Sequence, residues 1–255
     1  SNPDTILICN GTYNESILTK NNANALTIKA VDGQNDVKII SSNNYGIRTN
    51  NSTNLSIEGI SIEAKNNAID LRSNAGTFKI KNVNLQSNNA RALYAKGSGN
   101  DFLIDGIKIA SAAQQAIQIE NGNSGLIKNS CIGNSNEEGL YVKSSNSLEV
   151  TQTCFANVAS GKKEALLEDG SNNPYFHENY WQRHDVSGIN ANDTVLSSCP
   201  HSCNSRSEFS GSNLRDFNQI YKKDLYGDIK IFGNTILGAQ YKECVAWNRW
   251  GYCTE

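Results

Sequence analysis

No run of 18 consecutive apolar residues occurs in this 255-residue chain, so nothing in it reads as a transmembrane helix. Charge of one sign is not in excess either. The formal net charge is -2, which gives no whole-chain reason to expect nucleic acid or a membrane surface as partner. Methionine is absent altogether, and the chain opens Ser-Asn-Pro-Asp. Both features suit a mature chain whose signal peptide has been removed, and hence a secreted, periplasmic or extracellular protein. Room for a helix is missing from the middle of the chain too. Between Leu55 and Phe155 no stretch has the roughly 10–12 residues that a helix with its own turns requires.

What that region has instead is a repeat. Its segments begin at Leu55, Phe78, Phe102, Gly125 and Leu148, in steps of 23, 24, 23 and 23 residues. Each copy is a short alternating strand, one Gly or polar residue, and a second apolar pair, as in Ile57-Glu58-Gly59-Ile60-Ser61-Ile62. Gly59, Asn82, Gly106 and Asn129 share one position, and Gly and Asn are the residues that tolerate a left-handed backbone, so this position reads as a recurring sharp corner. A further strand recurs in phase: Ala68–Arg72, Ala92–Lys96, Ala116–Glu120 and Gly139–Lys143. Its period of two marks strands with one buried face. Short strands, fixed corners and a period in the low twenties describe the coils of a parallel solenoid.

The opening segment is more specific. Asp4-Thr-Ile is followed by Gly11-Thr-Tyr13 and Glu15, then by Leu26-Thr-Ile28 and coils of this period. This form resembles the start of pectate-lyase-like right-handed β-helix proteins, including those with NosD-type repeats. Asn179-Tyr-Trp181 resembles the closing element of several such chains, although Gln182 stands where Gly often follows. The resemblance covers about residues 4–182. It implies an all-β fold, a single-stranded right-handed parallel β-helix solenoid, and it implies a polysaccharide as the ligand far less specifically. Residues 1–182 are thus assigned to the β-helix and 183–255 to a C-terminal extension that caps it. The extension is expected to hold an irregular Cys-bearing loop, one short helix over Leu214–Leu225, a final strand pair, and a cap built on Trp247 to Cys253.

Seven cysteines, an odd number, occur at 9, 131, 154, 199, 203, 244 and 253. Four lie in the last quarter, which points to disulfide stapling in an oxidising compartment, with a four-sulfur zinc site on Cys199, Cys203, Cys244 and Cys253 as the competing reading. Cys9, alone at the far end, is the expected free or intermolecular thiol. Cys131 and Cys154 share an outward column on successive coils, so a stacked disulfide between them is geometrically feasible.

Stacking converts positions into ladders. Inward ones run Ile57, Ile80, Ile104, Ile127, Val150; then Ile69, Leu93, Ile117, Leu140, Leu166; and Ile62, Leu85, Ile109, Ile132, Phe155. Two outward columns matter for function: Arg48, Asp70, Tyr94, Gln118, Tyr141, Leu167, and beside it Asn50, Arg72, Lys96, Glu120, Lys143, Asp169. Tyr94 and Tyr141 flanked by Arg72, Lys96 and Lys143 suit an acidic polysaccharide, with rings on sugar faces and cations on carboxylates or sulfates. The same residues also suit a cross-strand ion-pair ladder on a solvated face.

Catalysis is less well supported. Lyases resembling this chain use a Lys or Arg base with a cation, often calcium held by neighbouring Asp and Glu. Here Asp70, Glu120 and Asp169 are separated in their columns, so no tight carboxylate cluster forms; a calcium site is possible but unsupported, and no cofactor is expected. The Gly-His-Gly and Arg-Ile-Lys segments of the related hydrolases are missing, and a regular outward Thr array of the ice-binding kind is missing as well. Any enzymatic activity would therefore be lyase-like, with Arg183-His184-Asp185 as a weak candidate that offers a base, a cation and an orienting carboxylate in one loop. His177 reads as an inward core histidine. Two functions follow: a secreted protein that binds, and cleaves or modifies, an acidic glycan, or a non-catalytic scaffold whose rigid solenoid binds another protein.

Overall fold

The computed structural model describes residues 4–20, 25–31, 37–50, 54–72, 76–144, 147–168, 175–183, 186–187, 199, 246–247 and 253–254. Three parallel sheets of eight strands each form the walls of a solenoid, every coil contributing one strand to each sheet. The first sheet stacks Asp4–Ile8, Leu26–Ala30, Asn54–Glu58, Thr77–Lys81, Asp101–Asp105, Ser124–Lys128, Leu148–Thr151 and Tyr175–His177. The second runs from Gly11–Tyr13 to Tyr180–Trp181, the third from Ile17–Lys20 to Val186–Ser187. Among the described residues all regular structure is strand. The expected helix over 214–225 and the final strand pair lie outside them. Ala246–Trp247 pairs antiparallel with Cys253–Thr254.

The register follows the repeat. Leu55, Phe78, Phe102, Gly125 and Leu148 are successive partners, as the steps of 23, 24, 23 and 23 require. The step lengthens to 24 in the bend between Ser87, which still lies 23 residues after its partner Ala64, and Leu93, which lies 24 after Ile69. A separate bulge opposite Leu85 and Gln86 shifts the register of the next rung by one more residue before it realigns at Ile117. Gly125 stands in a column otherwise filled by Leu and Phe because Phe102 already occupies its space. A Cβ there would lie 2.2 Å from the Phe102 carbonyl oxygen and 2.6 Å from its ring, at a φ of +148°.

The inward ladders form one continuous core in which Ile57, Ile80, Ile104, Ile127 and Val150 are at most 1% exposed. Burying each such side chain contributes roughly 1.5–3 kcal/mol before chain entropy is subtracted. At the C-terminal rungs the aliphatic ladders end in aromatics: Ile132 is followed by Phe155 and Trp181, and Val150 by Phe176. The Phe155 and Trp181 rings stack at 4.2 Å with planes 9° apart, and Phe176 lies 6.0 Å from Trp181. Flat rings fill the last layers and close the core from within, so the Asn-Tyr-Trp element does act at the end of the solenoid.

Gly59, Asn82, Gly106 and Asn129 all have φ between 51° and 72°, as the corner requires, and the next coils place Gln152 and Glu178 there at 48° and 55°. A non-Gly residue held in this region costs on the order of 1 kcal/mol. Asn179, the residue after this corner, turns inward. Its carboxamide accepts from the Thr153 backbone N–H at 3.0 Å and donates to the Val150 carbonyl at 2.8 Å, satisfying backbone groups of the coil before it. Correspondingly, Phe176 takes the inward slot and His177 faces outward beside Thr151, the reverse of the sequence expectation.

The third sheet also shifts by one residue at its end. Leu140 pairs with Ala165 and Tyr141 with Leu166, so Leu167 is the inward leucine and Glu168, not Asp169, stands beside Lys143. Two adjacent leucines make the alternation of Ala165–Glu168 ambiguous in sequence, and the small Ala165 takes the inward position.

Cys131 and Cys154 are register partners on an outward column, yet both are buried, and they are not bonded to each other. Cys154 is bonded to Cys199, 45 residues away, with Cα atoms 5.4 Å apart, and Cys131 is in a separate disulfide. The bridge from Cys154 ties the C-terminal extension to the outside of the second sheet and removes Cys199 from any zinc site. Among the described residues Cys9 is the free thiol, and it is exposed.

Candidate functional site

The outward face of the third sheet carries the residues singled out in the sequence. In Asn67–Arg72, Leu93–Lys96, Ile117–Glu120 and Leu140–Lys143 the alternate residues Ile69 and Leu71, Leu93, Ile117 and Ile119, Leu140 and Val142 are buried in the core. Asp70, Tyr94, Gln118 and Tyr141 must therefore point outward, as partners in one column. Lys96, Glu120, Lys143 and Glu168 run beside them on successive rungs about 4.8 Å apart.

Asp70 is the pivot at the lower end. It is 2% exposed and accepts from Arg72 Nε at 2.8 and 3.1 Å, with Arg48 Nε at 3.9 Å from its other side. This contact raises the Arg72 pKa above its already high ordinary value, so Arg72 stays charged. Arg48 also lies over the Tyr45 ring at 5.5 Å.

Tyr94 is not an open stacking platform. Only 8% of it is exposed, because the guanidinium groups of Arg91 and Arg72 lie over its ring at 4.8 and 5.9 Å. Its phenol donates to Glu120 Oε2 at 3.1 Å, and Gln118 accepts from Arg91 and donates to the other Glu120 oxygen. Burial first, then the Glu120 charge and hydrogen bond, push the phenol pKa up to about 12. Two rungs on, the half-buried Tyr141 donates to Glu168 of the following rung at 2.8 Å. Both tyrosines thus support carboxylates, and the groups turned to solvent are cations. Arg72 has 43% of its side chain exposed, Arg48 32%, and Lys96 is exposed.

On this face Arg48, Arg72, Arg91, Lys96 and Lys143 stand against Asp70, Glu120 and Glu168. The cations exceed the carboxylates, and the excess is concentrated in the arginine cluster. Arg91 had not been singled out from sequence. Its position was legible, since Arg91 precedes Ala92 as Asn67 precedes Ala68, but its reach over Tyr94 depends on side-chain conformation.

The second candidate group does not assemble in the described residues. The Arg183 guanidinium donates to the carbonyls of Ala159 at 3.3 Å and Lys162 at 2.9 Å, and its backbone N–H donates to the Glu164 carboxylate at 3.0 and 3.2 Å. Arg183 therefore holds the last turn together. His184 and Asp185 lie outside the described residues. Among the described residues no group of three His, Cys, Asp or Glu side chains could hold a metal ion, and no helix is long and apolar enough to cross a membrane.

Comparison with known families gives one match, to the right handed beta helix region, over residues 6–197 and, in an overlapping second alignment, residues 67–245. No curated protein and no solved structure matches the chain.

Proposed function

Because this chain belongs to the right-handed β-helix family, whose rungs hold side chains in straight columns, we propose that it binds an acidic polysaccharide along the outward face of its third sheet. The observation that carries this reading is the cluster of Arg48 and Arg72 on the buried carboxylate of Asp70, with Arg91 beside them over the Tyr94 ring. Arg72 is bound to Asp70 through Nε, which leaves the terminal amino groups of its fork directed to a ligand carboxylate or sulfate. Lys96 and Lys143 continue the basic track toward later rungs. The arrangement favours holding the glycan over cleaving it. A lyase base must give up its proton, whereas Asp70 keeps Arg72 charged. The Cys154–Cys199 disulfide supports a secreted or periplasmic setting.

A second reading, a scaffold for a protein partner, is favoured by a separate feature. The first rung leaves Ile6, Leu7 and Leu18 exposed by 47%, 56% and 39% on an open sheet edge.

A polysaccharide array read together with ultraviolet absorbance of unsaturated uronate tests the proposal. Expected are binding to polygalacturonate or a sulfated glycan, weakening as salt rises, and no unsaturated product. An R48A/R72A/R91A variant should lose most of that affinity. Unchanged binding by this variant, or no binding to any acidic glycan, would overturn the proposal, and a product signal would convert it to a lyase.

A further inference from the structure

The first sheet carries a different face. Over its early rungs the outward column is Thr and Ser, but from Lys79 it continues as Leu103, Leu126, Glu149 and Tyr175 on consecutive rungs. Four rung steps span about 19 Å. A groove of about 400 Å³ lies along this run, lined by Lys79, Leu103, Leu126, Glu149 and Tyr175.

Tyr175 stands at one end and is 60% exposed. Its ring is held in place. His177, two residues on, packs against it at 4.6 Å with planes 31° apart, and is itself fixed by Glu149 Oε1 at 2.9 Å on Nε2 and Thr151 Oγ1 at 3.2 Å on Nδ1. An aromatic ring that faces solvent and is already ordered loses little freedom when a ligand covers it.

The chemistry of the groove differs from that of the third sheet. Its floor is leucine, and its charged groups are Lys79, Asp101 and Glu149, so carboxylates outnumber cations. A uronate or sulfate would be repelled there, whereas a sugar with an apolar C–H face and hydroxyl edges meets leucine, tyrosine and polar rim groups in turn. The straight column also selects shape. Equatorially linked pyranoses form a flat, extended chain whose residue length is close to one rung.

We propose that this groove is a second glycan site, for a neutral β-1,4-linked oligosaccharide lying along the solenoid axis with one pyranose ring on Tyr175. It uses a different sheet and a different ligand chemistry from the acidic-glycan face, and does not depend on it.

The test is calorimetric titration of the full chain with cellohexaose, mannohexaose and xylohexaose, and separately with oligogalacturonate. At least one neutral hexasaccharide should bind with an affinity insensitive to salt, and Tyr175→Ala should weaken it at least tenfold with an unchanged circular dichroism spectrum. L103Q/L126Q, which alters only the floor, should weaken it as well and serves if the first variant folds poorly. Binding of none of the three neutral sugars, wild-type affinity in both variants, or displacement of the neutral sugar by oligogalacturonate would overturn the proposal. The oligogalacturonate titration of the Tyr175→Ala variant reports separately on the third sheet, so the two proposals can fail independently.

Discussion

Tyr94 and Glu120 are joined across one rung: the phenol donates to Glu120 Oε2 at 3.1 Å, while Glu120 Oε1 accepts from Gln118. The phenol pKa, raised to about 12 from 10, means that the folded protein favours the neutral ring. That stabilisation is present in full below pH 10 and is lost as pH rises through the folded value. Its magnitude is on the order of 2–3 kcal/mol. An ultraviolet titration should show a late ionisation belonging to Tyr94. Tyr94→Phe should remove that late step, and E120Q should move it downward. A late step that persists in Tyr94→Phe would show that another tyrosine carries it.

Gly125→Ala should destabilise the solenoid by about 2–4 kcal/mol, combining backbone strain with a forced displacement of Phe102. Trimming the ring in F102A/G125A should not restore stability, because the nearest obstacle is the Phe102 carbonyl oxygen at 2.2 Å. Urea unfolding of the two variants decides this. Full recovery in the double variant would mean that the ring alone excludes a side chain.

Glu164 is fully buried in a column that holds Ala68, Ala92, Ala116 and Gly139 on earlier rungs. Its carboxylate is there for the Arg183 N–H, so Glu164→Ala should cost about 2–3 kcal/mol. The loss should be local. Hydrogen exchange should speed up over residues 165–183 and stay unchanged over 54–112, since each rung contacts only its neighbours. Uniform acceleration along the chain would contradict this.

Non-reducing peptide mapping should recover Cys154 linked to Cys199 and Cys9 alkylated in the native protein. C154S/C199S removes a 45-residue closure and should lower stability by about 4 kcal/mol on loop entropy. Recovery of a Cys131–Cys154 peptide would restore the stacked arrangement.

The sequence was most legible where one side chain per rung had to be buried. Ile57 to Val150, and the corner from Gly59 to Asn129, follow from periodicity because a one-residue slip would turn every isoleucine to solvent. Legibility failed where two adjacent residues could fill the same slot. Leu166 and Leu167 are equally apolar, so the final register was off by one, and His177 was placed inside although Phe176 beside it fits the core better. The columns of the candidate face were also readable, but not which side chains they leave open. Tyr94 is outward by register and still 8% exposed, since Arg91 and Arg72 fold over it. Long flexible side chains choose their cover in three dimensions, and no spacing rule encodes that choice. Cys154 illustrates the same limit at longer range, because its partner lies beyond the repeat.

The register shift beside Leu85 and Gln86 shows how much irregularity one coil can absorb. One surplus residue is hidden in a bulge, and the columns on either side realign within the same turn. Growth of such a chain is therefore quantised. Duplicating a unit of 23 or 24 residues would lengthen every face by one rung and leave all other partners in place. An insertion of intermediate length would throw each later column out of line unless it looped out at a bend. The protein can thus change the length of ligand it spans by adding or losing whole coils, without redesigning the residues that touch it.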